Sequence, residues 1–159
     1  MWSLRKWLAR RRLDASLADW RIVKAENDVT GQAAVFRLRI RKPKIRNLGE
    51  FRIAVTVTWR YGQKGEMPPK PVHEKQTQFD RALDGLSGEN GYAELMRVAT
   101  GDGCKEWLYY TSDIERFGQT FNEMLAGLET FPVDVNCEED PSWSIWQEFV
   151  QSVENRTAL

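Results

Sequence analysis

Between Ala34 and Arg41 the chain alternates strictly, with Phe36, Leu38 and Ile40 on one side and Arg37, Arg39 and Arg41 on the other. A period of two marks a strand with one buried face, and Pro43 halts it. A first run on Trp20 and Ile22 leads through the turn residues Asp28-Val29-Thr30-Gly31, so residues 19–42 read as a β-hairpin. From Phe51 to Tyr61 both alternating sets are rich in strand formers, which predicts a strand central in its sheet. Gly62, Gly65, Pro68, Pro69 and Pro71 then impose a loop. Val72, Phe79, Leu83 and Leu86 share a helical face, and Gly88 and Gly91 end that helix. Strands at Tyr92–Ala99 and Cys104–Thr111 flank Thr100-Gly101-Asp102-Gly103, the plainest hairpin in the chain. Ser112 or Asp113 can cap a helix over 113–127 that buries Ile114, Phe117, Phe121, Met124, Leu125 and Leu128, before a last strand at Phe131–Cys137. Asp140 can cap a closing helix over 141–150, with Pro141 in its first turn and Trp143, Trp146, Phe149 and Val150 facing inward.

From residue 51 the order is strand, helix, strand, strand, helix, strand. That is the ferredoxin-like βαββαβ plan, an α+β fold with an antiparallel sheet packed on two helices. The expected division is a basic N-terminal helix (1–18), one α+β domain (19–150) and a C-terminal tail (151–159). Within the domain lie the hairpin 19–42, a ferredoxin-like core 51–138 and the closing helix 141–150. The hairpin either extends the sheet at an edge or covers its other, free face. Residues 2–13 read as an amphipathic helix: Leu4, Trp7 and Leu8 share a side and Arg5, Lys6, Arg10 and Arg12 ring the rest, with Arg11 interrupting the stripe. Such a segment packs on the domain, frays as a terminus, or anchors to a membrane surface or an RNA.

The charge balance adds something the periodicity does not. The net charge is zero, yet residues 1–64 hold 16 Lys/Arg against 5 Asp/Glu, and residues 65–159 hold 7 against 18. Such segregation either cancels within the fold or marks surfaces for charged partners, including a second copy. There is no apolar run of about 18 residues and no secretory h-region. Two widely spaced cysteines, Cys104 and Cys137, fit reduced thiols in a cytoplasmic protein.

Candidate chemistry is sparse. His73, the single histidine, adjoins Glu74 as an acid–base pair beside a Pro-rich loop. Cys104 follows a Gly-Asp-Gly turn with nothing in sequence to activate it. Glu138, Glu139 and Asp140 suit a solvated strand end or a helix cap better than a cation site. No metal site, cofactor or catalytic residue is expected. The best surface feature is the basic run Arg37, Arg39, Arg41, Lys42, Lys44 and Arg46, because arginine forks match carboxylates bidentately. Trp59, Trp107, Tyr109 and Tyr110 could instead stack bases on a ferredoxin-like sheet, although the RNA-recognition signature is absent.

The second half resembles a bacterial family, domain of unknown function 695. The residues carrying the resemblance are Thr100-Gly101 with the aromatic strand Trp107-Leu108-Tyr109-Tyr110, then Asp113, then Asp140-Pro141-Ser142-Trp143 with Trp146. The similarity covers roughly residues 19–150. Trp107, Tyr109, Tyr110, Asp140, Pro141, Trp143 and Trp146 are thus family-motif positions, read as structural. The family's activity is not established. Its fold resembles that of the regulator of ribonuclease E activity B, a ferredoxin-like protein that binds and inhibits an RNA-cleaving enzyme. This implies a non-catalytic protein-binding module, a regulator or inhibitor-like partner of another protein. The alternative is nucleic-acid binding through the basic strand 37–46, and the third reading is an enzyme of unknown class.

Overall fold

The computed structural model of the chain describes residues 7–17, 19–27, 29–63 and 66–157, with side chains from residue 19 to residue 155. The architecture is α+β. Seven strands form one sheet: β1 (Trp7–Leu17), β2 (Trp20–Asn27), β3 (Ala33–Arg39), β4 (Ile53–Arg60), β5 (Ala93–Gly101), β6 (Cys104–Thr111) and β7 (Val133–Glu139). Three helices complete it: α1 (Lys70–Ala82), α2 (Ile114–Leu125) and α3 (Ser144–Thr157). The strand order is β1-β2-β3-β5-β6-β4-β7, and every neighbouring pair is antiparallel.

The expected basic helix over 1–18 is not what forms: residues 7–17 are a strand, and residues 1–6 and 18 lie outside the described residues. Pairing with β2, from Trp7 opposite Asn27 to Leu17 opposite Trp20, fixes the backbone bonds of this segment. A short helix whose stripe Arg11 interrupts has too little apolar face to compete. The basis for membrane contact by residues 2–13 fails for residues 7–13, and residues 2–6 lie outside the described residues. No helix among the described residues is long and apolar enough to cross a membrane.

The hairpin 19–42 forms and extends the sheet, because β3 pairs with β5 from Ala34 opposite Gly101 to Leu38 opposite Arg97. Asn27 makes its turn, its side-chain oxygen accepting from the N–H groups of Val29 and Thr30, each at 3.0 Å. β4 is internal, flanked by β6 and β7. At the β5–β6 turn Asp102 and Gly103 both have positive φ, 54° and 75°, the signature of a two-residue hairpin whose twist matches its strands.

Alternation sends one set of side chains to each face. Val55, Val57, Trp59, Trp107 and Tyr109 pack under Phe79 of α1, Leu83 just beyond its end, and Phe117 and Phe121 of α2. Phe36, Leu38, Ala54, Leu108 and Tyr110 pack under Trp146, Phe149, Val150 and Val153 of α3. The second face is therefore covered by the closing helix rather than left free. That helix spans Ser144–Thr157, not 141–150, so most of the expected tail is helical; residues 158 and 159 lie outside the described residues. Leu128, expected to be buried, is 50% exposed just beyond α2, because Ala126 already has an extended backbone and Gly127 a φ of 80°. In β5 a register shift between Leu95 and Arg97 interrupts the alternation. Met96 joins the α3-side core and the Arg97 guanidinium stacks 4.8 Å from the Phe149 ring.

Candidate interaction surface

The basic run divides where β3 ends. Arg37 is exposed, with its guanidinium 5.6 Å from the Trp20 ring centre. Arg39 lies 5.8 Å from the same ring and donates to Glu94 at 2.9 Å, their side chains only 16% and 6% exposed. Burial raises the Glu94 carboxyl above its usual range and the Arg39 cation opposes the rise. Arg39 is thus largely committed to an internal pair. Arg41, Lys42, Lys44 and Arg46 lie in the loop after the strand rather than on it. Lys42 sits 5.4 Å over the Trp143 ring. Arg41, Lys44 and Arg46 are exposed and, like Arg37, have no ion pair among the described residues.

Trp20 appears in the sequence only as a strand residue. In the fold it walls an open groove of about 400 Å³ between the hairpin and the end of α1, with Arg37, Asp80, Leu83, Leu95 and Tyr109 as neighbours. Cation–π contact with two arginines depends on β2–β3 register, Trp20 opposite Arg39 and Ile22 opposite Arg37, so no local motif announces it. Asp80 in this groove accepts from Lys105 Nζ at 2.8 Å and from Trp107 Nε1 at 2.6 Å. An apolar floor edged by a ring and charges of both signs suits a side chain or short segment of another molecule.

The family-motif residues form a latch. The Tyr110 hydroxyl donates to Asp140 Oδ2 at 2.6 Å, and its ring stacks on Trp143 with centroids 4.1 Å apart and planes 5° from parallel. Asp140 also accepts from the Ser144 N–H at 2.9 Å, the Ser144 hydroxyl at 2.7 Å and the Ile145 N–H at 3.0 Å. It caps α3 from four residues ahead, so Pro141 belongs to the preceding turn and not to the helix. Trp143, at φ 59°, donates from Nε1 to the Phe51 carbonyl at 2.8 Å, and Trp146 donates likewise to the Arg39 carbonyl at 2.7 Å. On the other face Tyr109 packs edge-on against Phe117 at 5.3 Å. Trp59, Trp107, Tyr109 and Tyr110 are all buried, so none of them is a base-stacking platform.

The candidate catalytic groups do not converge. His73 is exposed on α1, over one face of the sheet, and Glu74 beside it faces Lys70. Cys104 lies on β6 in register with Glu106, on the α3 side. Burial pushes its thiol up, and the Glu106 carboxylate adds to the rise, the opposite of nucleophile activation. Cys137 is exposed on β7, and partial desolvation raises its thiol too. Glu138 and Glu139 are exposed at the end of β7. Among the described residues no three His, Cys, Asp or Glu side chains are grouped to hold a metal ion. A polar cleft of about 170 Å³ lies beside α3, lined by Thr56, Thr58, Arg60, Asn136 and Glu138. At its inner wall Arg97 and Glu106 form a buried ion pair, and Arg97 Nε has no hydrogen-bond partner. Desolvation lowers the Arg97 pKa, and Glu106 opposes that fall.

An antiparallel sheet held between helices, with a motif-bearing turn locking the last helix, defines a class of small α+β domains. Residues 18–151 match the family of unknown function DUF695, and the chain belongs to that family. No curated protein and no solved structure matches it.

Proposed function

We propose that the protein is a non-catalytic protein-binding module, a bacterial cytoplasmic regulator or inhibitor-like partner that presents Arg37 and the Arg41–Arg46 loop to an acidic surface. We read residues 53–139 as a ferredoxin-like core, a reading supported by the order β5-β6-β4-β7 and by the helices joining β4 to β5 and β6 to β7. The observation that carries the function is the contrast in how charges are used. Arg39, Arg97 and Lys105 are tied to carboxylates inside the fold, whereas Arg37, Arg41, Lys44 and Arg46 stand exposed and unpaired among the described residues. Exposed arginine forks beside an aromatic wall are what an interface with a carboxylate-rich partner uses.

The test is affinity purification of the wild-type chain beside Arg37→Glu with Arg41→Glu, followed by titration of the recovered partner at rising salt. A stoichiometric acidic protein, bound by the wild type and lost with the double variant, supports the reading. A salt-sensitive shift of labelled RNA, abolished by the same pair, supports nucleic-acid binding instead.

A further inference from the structure

The two edges of the sheet are treated differently. β1 at one edge has register shifts on either side of Asp14 and carries Arg10, Arg11 and Arg12, devices that blunt a strand against further pairing. β7 at the other edge has neither. Its register with β4 runs unshifted from Ile53 opposite Glu139 to Trp59 opposite Val133, and it contains no proline, lysine or arginine. Every residue from Asp134 to Glu139 is exposed, and Val135 is 48% exposed.

The direction of its backbone groups follows from one bond. The Asp140 N–H donates to the Arg52 carbonyl at 2.7 Å. In an antiparallel ladder the bonded pairs alternate, so Glu138, Asn136 and Asp134 spend their backbone groups on β4. The N–H and C=O groups of Val135, Cys137 and Glu139 therefore point to the open side. The side chains divide as well. Asp134, Asn136 and Glu138 share one face, and Val133, Val135 and Cys137 the other.

We infer that β7 is a strand-addition site for an extended segment of a partner protein that alternates basic and apolar residues. The partner's backbone would pair with Val135, Cys137 and Glu139. Its basic side chains would lie beside Asp134 and Glu138, and its apolar ones beside Val133 and Val135. A second copy is the poorer occupant. Antiparallel β7 against β7 sets acids opposite acids, and the β1 edge of another copy is interrupted by its register shifts. This surface is separate from the Arg37 surface, which lies toward the β1 edge of the sheet, and it is of opposite sign.

The probe is an acetylated peptide alternating arginine and valine, titrated into the full chain by calorimetry and by amide NMR. The expected result is saturable, salt-weakened binding that shifts the amides of Val135, Cys137 and Glu139. Val135→Pro removes one outward N–H without touching the ladder to β4, so it weakens binding about fivefold to tenfold, the worth of one hydrogen bond. Asp134→Lys with Glu138→Lys weakens it through charge, in a chain whose backbone edge is unchanged. Three results overturn the proposal: no binding by the wild type, equal binding by the wild type and both variants, or a dimer that Val135→Pro dissolves, which would give the edge to a second copy.

Discussion

Asp140 shows how much a single carboxylate can organise. Its burial disfavours the charged form, yet bonds from Tyr110, Ser144 and the Ile145 N–H outweigh that cost and hold the carboxyl below its usual value. The sign follows: its stabilising contribution is present above the unfolded carboxyl value of about 3.9 and is lost as pH falls through the lower folded value. Acid unfolding followed by tryptophan fluorescence is expected to lose part of its pH dependence in Asp140→Asn. Tyr110→Phe leaves Asp140 with one donor fewer and should cost about 1–3 kcal/mol in urea denaturation. The buried Arg97–Glu106 pair predicts an asymmetry. Glu106→Gln strands a buried guanidinium and should cost about 3–5 kcal/mol, whereas Arg97→Met combined with Glu106→Leu should cost far less, as a double-mutant cycle would read.

At the scale of elements, a local signal was legible wherever the residues that make it are also the residues that use it. The Phe36-Arg37-Leu38-Arg39 alternation gave β3, and Asp113, accepting from the Arg116 N–H at 3.0 Å, caps α2 as the sequence suggests. The Gly101–Gly103 hairpin was equally readable. At Gly103, where φ is 75°, a Cβ would run into the backbone carbonyls of Gly62 and Gln63. Gly103→Ala should therefore lower stability by about 2 kcal/mol or more, a thermal shift readable by circular dichroism. The N-terminal segment was misread because its helical stripe is a local property and its β2 partner is not. The length of α3 was missed for a related reason. Val153 completes the apolar face begun by Trp146, Phe149 and Val150, but Gln151 and Ser152 before it and Glu154 after it dilute the pattern. The basic run looks uniform in sequence because Arg37 and Arg39 share the Trp20 ring and only the arrival of Glu94 separates them.

For the whole molecule, the order of strands puts β1 to β3 from the basic half at one edge and the acidic β7 at the other, with β4 interleaved between β6 and β7. The basic first half supplies β1 to β4, and the acidic second half supplies the β7 edge. The Arg39–Glu94 pair ties the halves together, while most of the exposed basic run stays at the surface. The two apolar cores, one on each side, make the sheet a shared wall. A chain ended after Glu139 would expose Phe36, Leu38, Met96 and Leu108 along one face of that wall. The expected outcome is loss of cooperative thermal unfolding and a gain in dye binding, measured by calorimetry and 8-anilinonaphthalene fluorescence.

Because the latch at Tyr110 and Asp140 closes on a helix that follows every strand of the sheet in chain order, completion waits until α3 has been made. The sheet leaves the ribosome with one side bare, at a time when a sticky surface invites association with other nascent chains. Chaperone occupancy on translating ribosomes should therefore rise once β6 has emerged and fall when Trp143 and Trp146 swing into place.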